Sequence, residues 1–183
     1  MEQQFQYYAF ISYKREDEKW AKWLQDRLRW YKLPSKLCRQ ITRLPKKVWP
    51  VFRDNTDLDS GRLEENIRHE LERSHYLIVI CSPEAARSPW VGKEVKYFAT
   101  LHGADKIIPF VVSGIPYSND IETECIHEQI KAISQEELLA INVREEGIGS
   151  FAMKKKRAFI RVVARLLDIK FNTLWQPYER ILR

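Results

Sequence analysis

The sequence predicts a three-layer α/β fold: a five-stranded parallel sheet in the order 2-1-3-4-5, with helices on both faces. Two observations lead there. Short apolar runs alternate with helical stretches along the whole chain, the order that winds a parallel sheet through right-handed crossovers. The first run, residues 5–12, is apolar at nearly every position instead of every second one, as a strand covered on both faces requires. Together they describe a flavodoxin-like arrangement. With 183 residues, 44% of them hydrophobic, the chain suits one domain with a proper core.

Residues 5–12 read as the first strand. Asp17 to Tyr31 reads as a helix, with Trp20, Trp23, Leu24, Leu28 and Tyr31 at 3.6-type spacing. Residues 31–47 form a basic insert: Lys32, Lys36, Arg39, Arg43, Lys46 and Lys47, no acidic residue, and breaks at Pro34 and Pro45. Residues 48–52 make a second strand that Pro50 marks as an edge. A polar loop runs from Arg53 to Gly61. A helix over 62–73 follows, with Leu63, Ile67 and Leu71 in one row, and then the strand Tyr76–Cys81. Ser88 with Pro89 behind it is a strong helix start. Residues 106–112 give a fourth strand, in which Pro109 fits awkwardly. A short helix near 124–133 and a weak strand near 140–143 come next. The last long helix spans 150–169 with Phe159, Val162, Val163, Leu166 and Leu167 inward. The domain is expected over 1–170, with 171–183 an extension or linker carrying Leu174, Trp175 and Tyr178.

Several classes of function lose support. No run of eighteen apolar residues occurs, so no membrane span is expected. The start lacks a basic segment and cleavage site, so a signal peptide is not expected either. Cys38, Cys81 and Cys125 are widely spaced, with no CxxC pair; neither a disulfide framework nor a zinc site is indicated, and a cytoplasmic location fits. The net charge of +6 comes from the insert and from Lys154–Arg157. Without aromatic residues interleaved, these read as a solvated loop and a polar helix face, and nucleic acid is not the expected partner. Asn55, Asp57 and Asp59 resemble a calcium loop, but the glycine falls one residue late and Asn66 stands where the bidentate glutamate belongs. No GxSxG, GxGxxG or GxxxxGK[ST] is present. His69, His75, His102 and His127 read as surface or capping residues.

One residue breaks its pattern. The helix beginning at Ser88 carries a stripe of Trp90, Val91, Val95, Phe98 and Leu101, and Glu94 lies in the same row. Burying an ionised carboxylate without a partner is costly. Spacing leaves two readings open: Glu94 sits at the stripe's edge paired with Arg53 or Lys14, or it is a working group. In the order 2-1-3-4-5 the ligand crevice lies beyond the carboxyl ends of strands one and three, beside Ser12, Tyr13, Lys14 and Ser82.

Four segments taken in order resemble TIR (Toll/interleukin-1 receptor) domains, of the bacterial kind. They are Phe10-Ile11-Ser12-Tyr13, then Val51-Phe52-Arg53-Asp54 with the loop to Gly61, then Cys81-Ser82-Pro83, and finally Trp90-Val91-Gly92-Lys93-Glu94 as WxxxE. The resemblance covers about residues 5–168 and implies an NAD⁺-cleaving enzyme with Glu94 catalytic. Phe10, Ser12, Tyr13, Lys14, Arg53, Asp54, Ser82 and Trp90 would then contact the substrate. NAD⁺ would be consumed as substrate, with no separate cofactor and no metal. The products would be nicotinamide with ADP-ribose or a cyclic isomer, in bacterial anti-phage signalling or NAD depletion. It also implies TIR–TIR self-association through the 54–61 loop and, as the alternative, a non-catalytic adaptor; the 171–183 tail either packs on the core or starts a linker to a partner domain beyond residue 183.

Overall fold

The computed structural model describes residues 4–54, 61–134, 137–145, 147 and 149–181, with backbone alone for 61–63 and 177–181. Residues 55–60, most of the polar loop expected to mediate self-association, lie outside them, as do the side chains of Leu63 and Tyr178.

The strands are β1 (Tyr7–Ser12), β2 (Val51–Arg53), β3 (Ser74–Cys81), β4 (Ile107–Val111) and β5 (Ile141–Asn142). They pair in parallel in the order β2-β1-β3-β4-β5, as the sequence predicts. The helices are α1 (Glu18–Trp30), α2 (Ser35–Gln40), α3 (Gly61–Glu72), α4 (Pro83–Ala86), α5 (Pro89–His102), α6 (Glu128–Ile133), α7 (Phe151–Leu166) and α8 (Phe171–Ile181). Strict one-to-one alternation was expected; α2, α4 and α8 are additional. The basic insert is not a plain loop. It folds α2 over the domain by burying Leu33, Leu37 and Leu44.

Alternation along the strands divides the core into two layers. Ala9, Ile11, Ile78, Ile80 and Phe110 face a layer built with α1, α7 and α8. Phe10, Leu77, Val79, Cys81 and Val111 face a layer built with α3, α5 and α6. The tail helix α8 seals the first layer with Leu174 and Trp175, which are 0% and 5% exposed.

Pro109 fits because of its parity. Val112 N–H donates to the Cys81 carbonyl (3.0 Å), so even-numbered amides of β4 point at β3 and position 109 points toward β5. The β5 ladder begins only at Phe110, so no ladder bond is lost.

One expectation is corrected. Leu101 is 44% exposed and lies off the buried stripe of α5. The basic residues are interleaved with aromatic rings in space, though not in sequence. Lys155 stands over Trp20, Trp23 and Phe151 (5.2–6.0 Å), and Arg29 stands over both Trp30 and Trp49 at 5.6 Å.

Candidate functional site

Helix α5 is started by Ser88, whose Oγ accepts from Val91 N–H (3.3 Å), with Pro89 at the first helical position. One turn later Glu94 enters the layer between sheet and helices, only 3% exposed. It arrives beneath the carboxyl ends of β1 and β2. By strand parity Ser12 follows Phe10, and Asp54 follows Phe52, onto this same face. Ser12 is 0% and Asp54 8% exposed.

Among the described residues no cationic side chain forms an ion pair with Glu94. Burial pushes its pKa well above the ordinary glutamate value, and the negative charge of Asp54 pushes the same way. The Ser12 hydroxyl faces the carboxyl and draws it partly back. Among the described residues Ser12 Oγ and Glu94 Oε2 are nevertheless both buried without a well-formed hydrogen bond. Two orphaned polar atoms at the switch-point end of an α/β sheet are the signature of a site organised for something else.

The pairing of Glu94 with Arg53 or Lys14 is not what forms. Arg53 points to the opposite face and is held there. Its Nε donates to Gln25 Oε1 (3.0 Å), its Nη1 donates to Tyr13 Oη (3.0 Å), and Glu18 lies 3.6 Å away. Tyr13 donates in turn to the Asp54 carbonyl, so this bonded group fixes the backbone from which the Asp54 side chain projects. Lys14 opens the 3-10 turn Arg15–Asp17 and accepts from Asp17 N–H through its carbonyl (2.8 Å). Ser82 is wholly buried: its hydroxyl caps α4 by accepting from Ala85 N–H and donates to Asp17 Oδ2 at 2.5 Å. Phe10 is a core residue packed on Phe52, ring centroids 5.1 Å apart.

Trp90 and Glu94 together line a groove of about 340 Å³ between α3 and α5, walled by Ile67, Leu71, Lys93 and Tyr97. That volume lies at the lower end of the ~300–1,000 Å³ usual for small-molecule sites. A larger cleft of about 540 Å³ opens at the other end of the sheet, away from Glu94.

Sequence reading missed the parts that hold these groups still. Gln25 and Glu18 clamp Arg53. Gly92 is pressed against His127: a Cβ there would meet His127 Cε1 at 2.5 Å. His127 Nδ1 accepts from Gln129 N–H (3.0 Å), so its Nε2 carries the proton and donates to the Ser88 carbonyl (2.9 Å). Burial lowers its pKa, against the Ser88 carbonyl and Glu128. A glycine in mid-helix was the available signal, since such a residue usually answers to close packing.

A family model described as TIR domain matches residues 9–137. An NAD(+) hydrolase, ApTIR, of Actinoplanes sp. is 36% identical over 110 residues, 59% of this chain; that stretch is 14% of the relative's own length. Among solved structures, the TIR domains of the activated Roq1 resistosome directly recognizing the pathogen effector XopQ align with a TM-score of 0.56. The identity is 14%, covering 84% of this chain and 98% of that one, and the likeness concerns the fold.

Proposed function

The chain belongs to the TIR domain family, and from that premise we propose that it cleaves the nicotinamide–ribose bond of NAD⁺ with Glu94 as the catalytic carboxylate. One observation carries this: a carboxyl 3% exposed, with no ion pair and one oxygen unpartnered among the described residues, lines a ligand-sized groove. The name of the Actinoplanes relative supports the same reading.

The chemistry suits a lone carboxylate. Nicotinamide leaves a pyridinium as a neutral molecule, so no acid is needed to protonate it. Positive charge develops on the ribose in an oxocarbenium-like transition state, and a preorganised anion stabilises it. Burial raises the pKa of this carboxyl well above the ordinary glutamate value. A bound pyridinium supplies the missing counter-charge and favours the ionised form. Substrate and catalytic charge therefore appear together. Ser12 and Asp54, the two groups that act on the Glu94 carboxyl, are those we assign to the ribose hydroxyls, and Trp90 walls the groove. Attack by water gives ADP-ribose; attack by a substrate hydroxyl or by the adenine gives a cyclic isomer. Bacterial immune signalling or NAD depletion is the physiological setting we assign.

The test is to incubate the protein with NAD⁺, dilute and under crowding, and resolve the products, then repeat with Glu94→Ala. Nicotinamide release that Glu94→Ala abolishes is the expected result. Release unchanged by the substitution removes Glu94 from the chemistry, and no release under either condition favours an adaptor.

Self-association is part of the proposal. Ile115, Ile121 and Leu139 are 56%, 75% and 79% exposed. Tyr117 Oη donates to the Leu138 carbonyl (2.9 Å) and ties the loops that carry them together. An apolar surface of this kind suits a second copy of the chain.

A further inference from the structure

The cleft of about 540 Å³ lies outside the amino-terminal ends of β1, β3 and β4, the end of the sheet opposite Glu94. In α/β sheets the fold itself makes a ligand crevice at the carboxyl ends. This cleft has another origin: Arg43, Leu44 and Pro45 of the basic insert form one wall, and Trp49 follows.

Its lining combines two kinds of group. Tyr8 and Trp49 present half-buried aromatic surface over the buried Tyr76 ring, and Arg43 and Lys106 present charge. Arg43 is held in position: its Nη1 and Nη2 donate to the Leu167 and Asp168 carbonyls at 3.1 and 3.2 Å. These acceptors are neutral, so the guanidinium keeps its full charge. Lys106 stands 5.0 Å from the centre of the Tyr76 ring. The Asp168 carboxylate is exposed at the rim; among the described residues no carboxylate forms an ion pair with Arg43 or Lys106. His75, stacked on Phe5 at 4.6 Å, is held below the usual histidine range by burial and by the charges of Lys106 and His102. Aromatic faces beside uncompensated cations are the chemistry that takes a flat ring joined to a phosphate.

The geometry points to a second ligand site in this cleft, one that binds a planar aromatic phosphate of nucleoside-monophosphate class between the basic insert and the amino-terminal edge of the sheet. The ring stacks against Tyr8 and Trp49, and the phosphate meets Arg43 and Lys106. The site does not depend on any reaction at Glu94, and it gives the insert a role that the sequence left open.

Calorimetric titration of the full chain with AMP, and separately with inorganic phosphate, tests it. AMP is expected to saturate one site, with phosphate at least about tenfold weaker because it has no ring to stack. Lys106→Ala is expected to weaken AMP about tenfold and Lys106→Glu to abolish binding. Glu94→Gln is expected to leave it unchanged. Trp49→Leu, with folding checked by circular dichroism, is expected to reduce AMP affinity toward that of phosphate. Histidine-ring NMR gives an independent reading, since a bound anion lifts the His75 pKa. Three outcomes overturn the proposal. AMP does not saturate up to about 10 mM; or AMP and phosphate bind alike, meaning simple anion attraction; or binding fails in Glu94→Gln but survives Lys106→Glu, which moves it to the other end of the sheet.

Discussion

Two glutamates of this domain are almost withdrawn from solvent, and they are treated in opposite ways. Glu124, its side chain 12% exposed, receives the backbone N–H groups of Tyr117, Asn119 and Ile126 and the ammonium of Lys131 at 2.6 Å. Burial alone would raise its pKa; Lys131 and the Ile126 and Asn119 amides more than reverse this, and the carboxyl ends below its ordinary value. Glu94 is buried more deeply and, among the described residues, has none of these. Its pKa is driven up by burial, then by Asp54. A carboxylate that organises a loop is surrounded by donors. One left unsatisfied beside a groove is a cost to folding, and such costs collect where a ligand supplies the missing charge.

The largest effect that tests this contrast is catalytic. Glu94→Gln keeps the shape and removes the charge, and should lower nicotinamide release by about 10²–10³. Glu124→Gln should leave the chemistry nearly intact but lower stability by about 1.5–3 kcal/mol, the range for hydrogen bonds to a charged group, read by thermal melting. If Glu124→Gln harms turnover as much as Glu94→Gln does, the division between the two residues collapses.

Stability against pH gives a smaller effect with opposite signs. Glu124 has a lowered folded pKa, so its contribution is complete above the ordinary glutamate value and is lost as pH falls through the folded one. Glu94 has a raised folded pKa, so above the ordinary value the unfolded chain ionises first. Its cost grows until pH passes the folded pKa. Glu94→Gln should therefore melt with wild type in acid and above it in mild alkali, by about 0.5–2 kcal/mol. Coincident curves at every pH would mean that the carboxyl is not destabilised. The smallest change is Asp54→Asn. Removing that repulsion eases ionisation of Glu94 and should move the acid limb of the pH–rate profile to lower pH; an unmoved limb would remove Asp54 from the site's electrostatics.

The layering was legible in the sequence because its signals are local and periodic. Apolar runs mark β1, β3 and β4, and Ser88-Pro89 marks the start of α5. Pro50 correctly announced an edge strand. The insert was less legible: Leu33, Leu37 and Leu44 are too sparse to show that α2 would dock. At the site, spacing alone could not choose between a paired Glu94 and an unpaired one. The choice rests on which face Arg53 takes, and that follows from the parity of β2 and from the waiting partners Gln25, Tyr13 and Glu18. Those contacts join residues 28 to 40 positions apart, beyond the reach of any local pattern. The interleaving of aromatic and basic side chains was hidden in the same way, assembled in space from separate segments.

The packing of Gly92 on His127 has a bearing on how sequences of this kind can drift. WxxxE is written with three free positions between tryptophan and glutamate, yet in this chain Val91 is wholly buried and Gly92 has no room for a methyl group. The ring it touches is pinned by Ser88 and Gln129 and cannot give way. Only Lys93 faces outward. A library randomised at 91, 92 and 93 and sorted for folded protein should return variety at the third position, small apolar residues at the first and glycine at the second. The wildcards of the motif are, for this helix, one wildcard and two instructions.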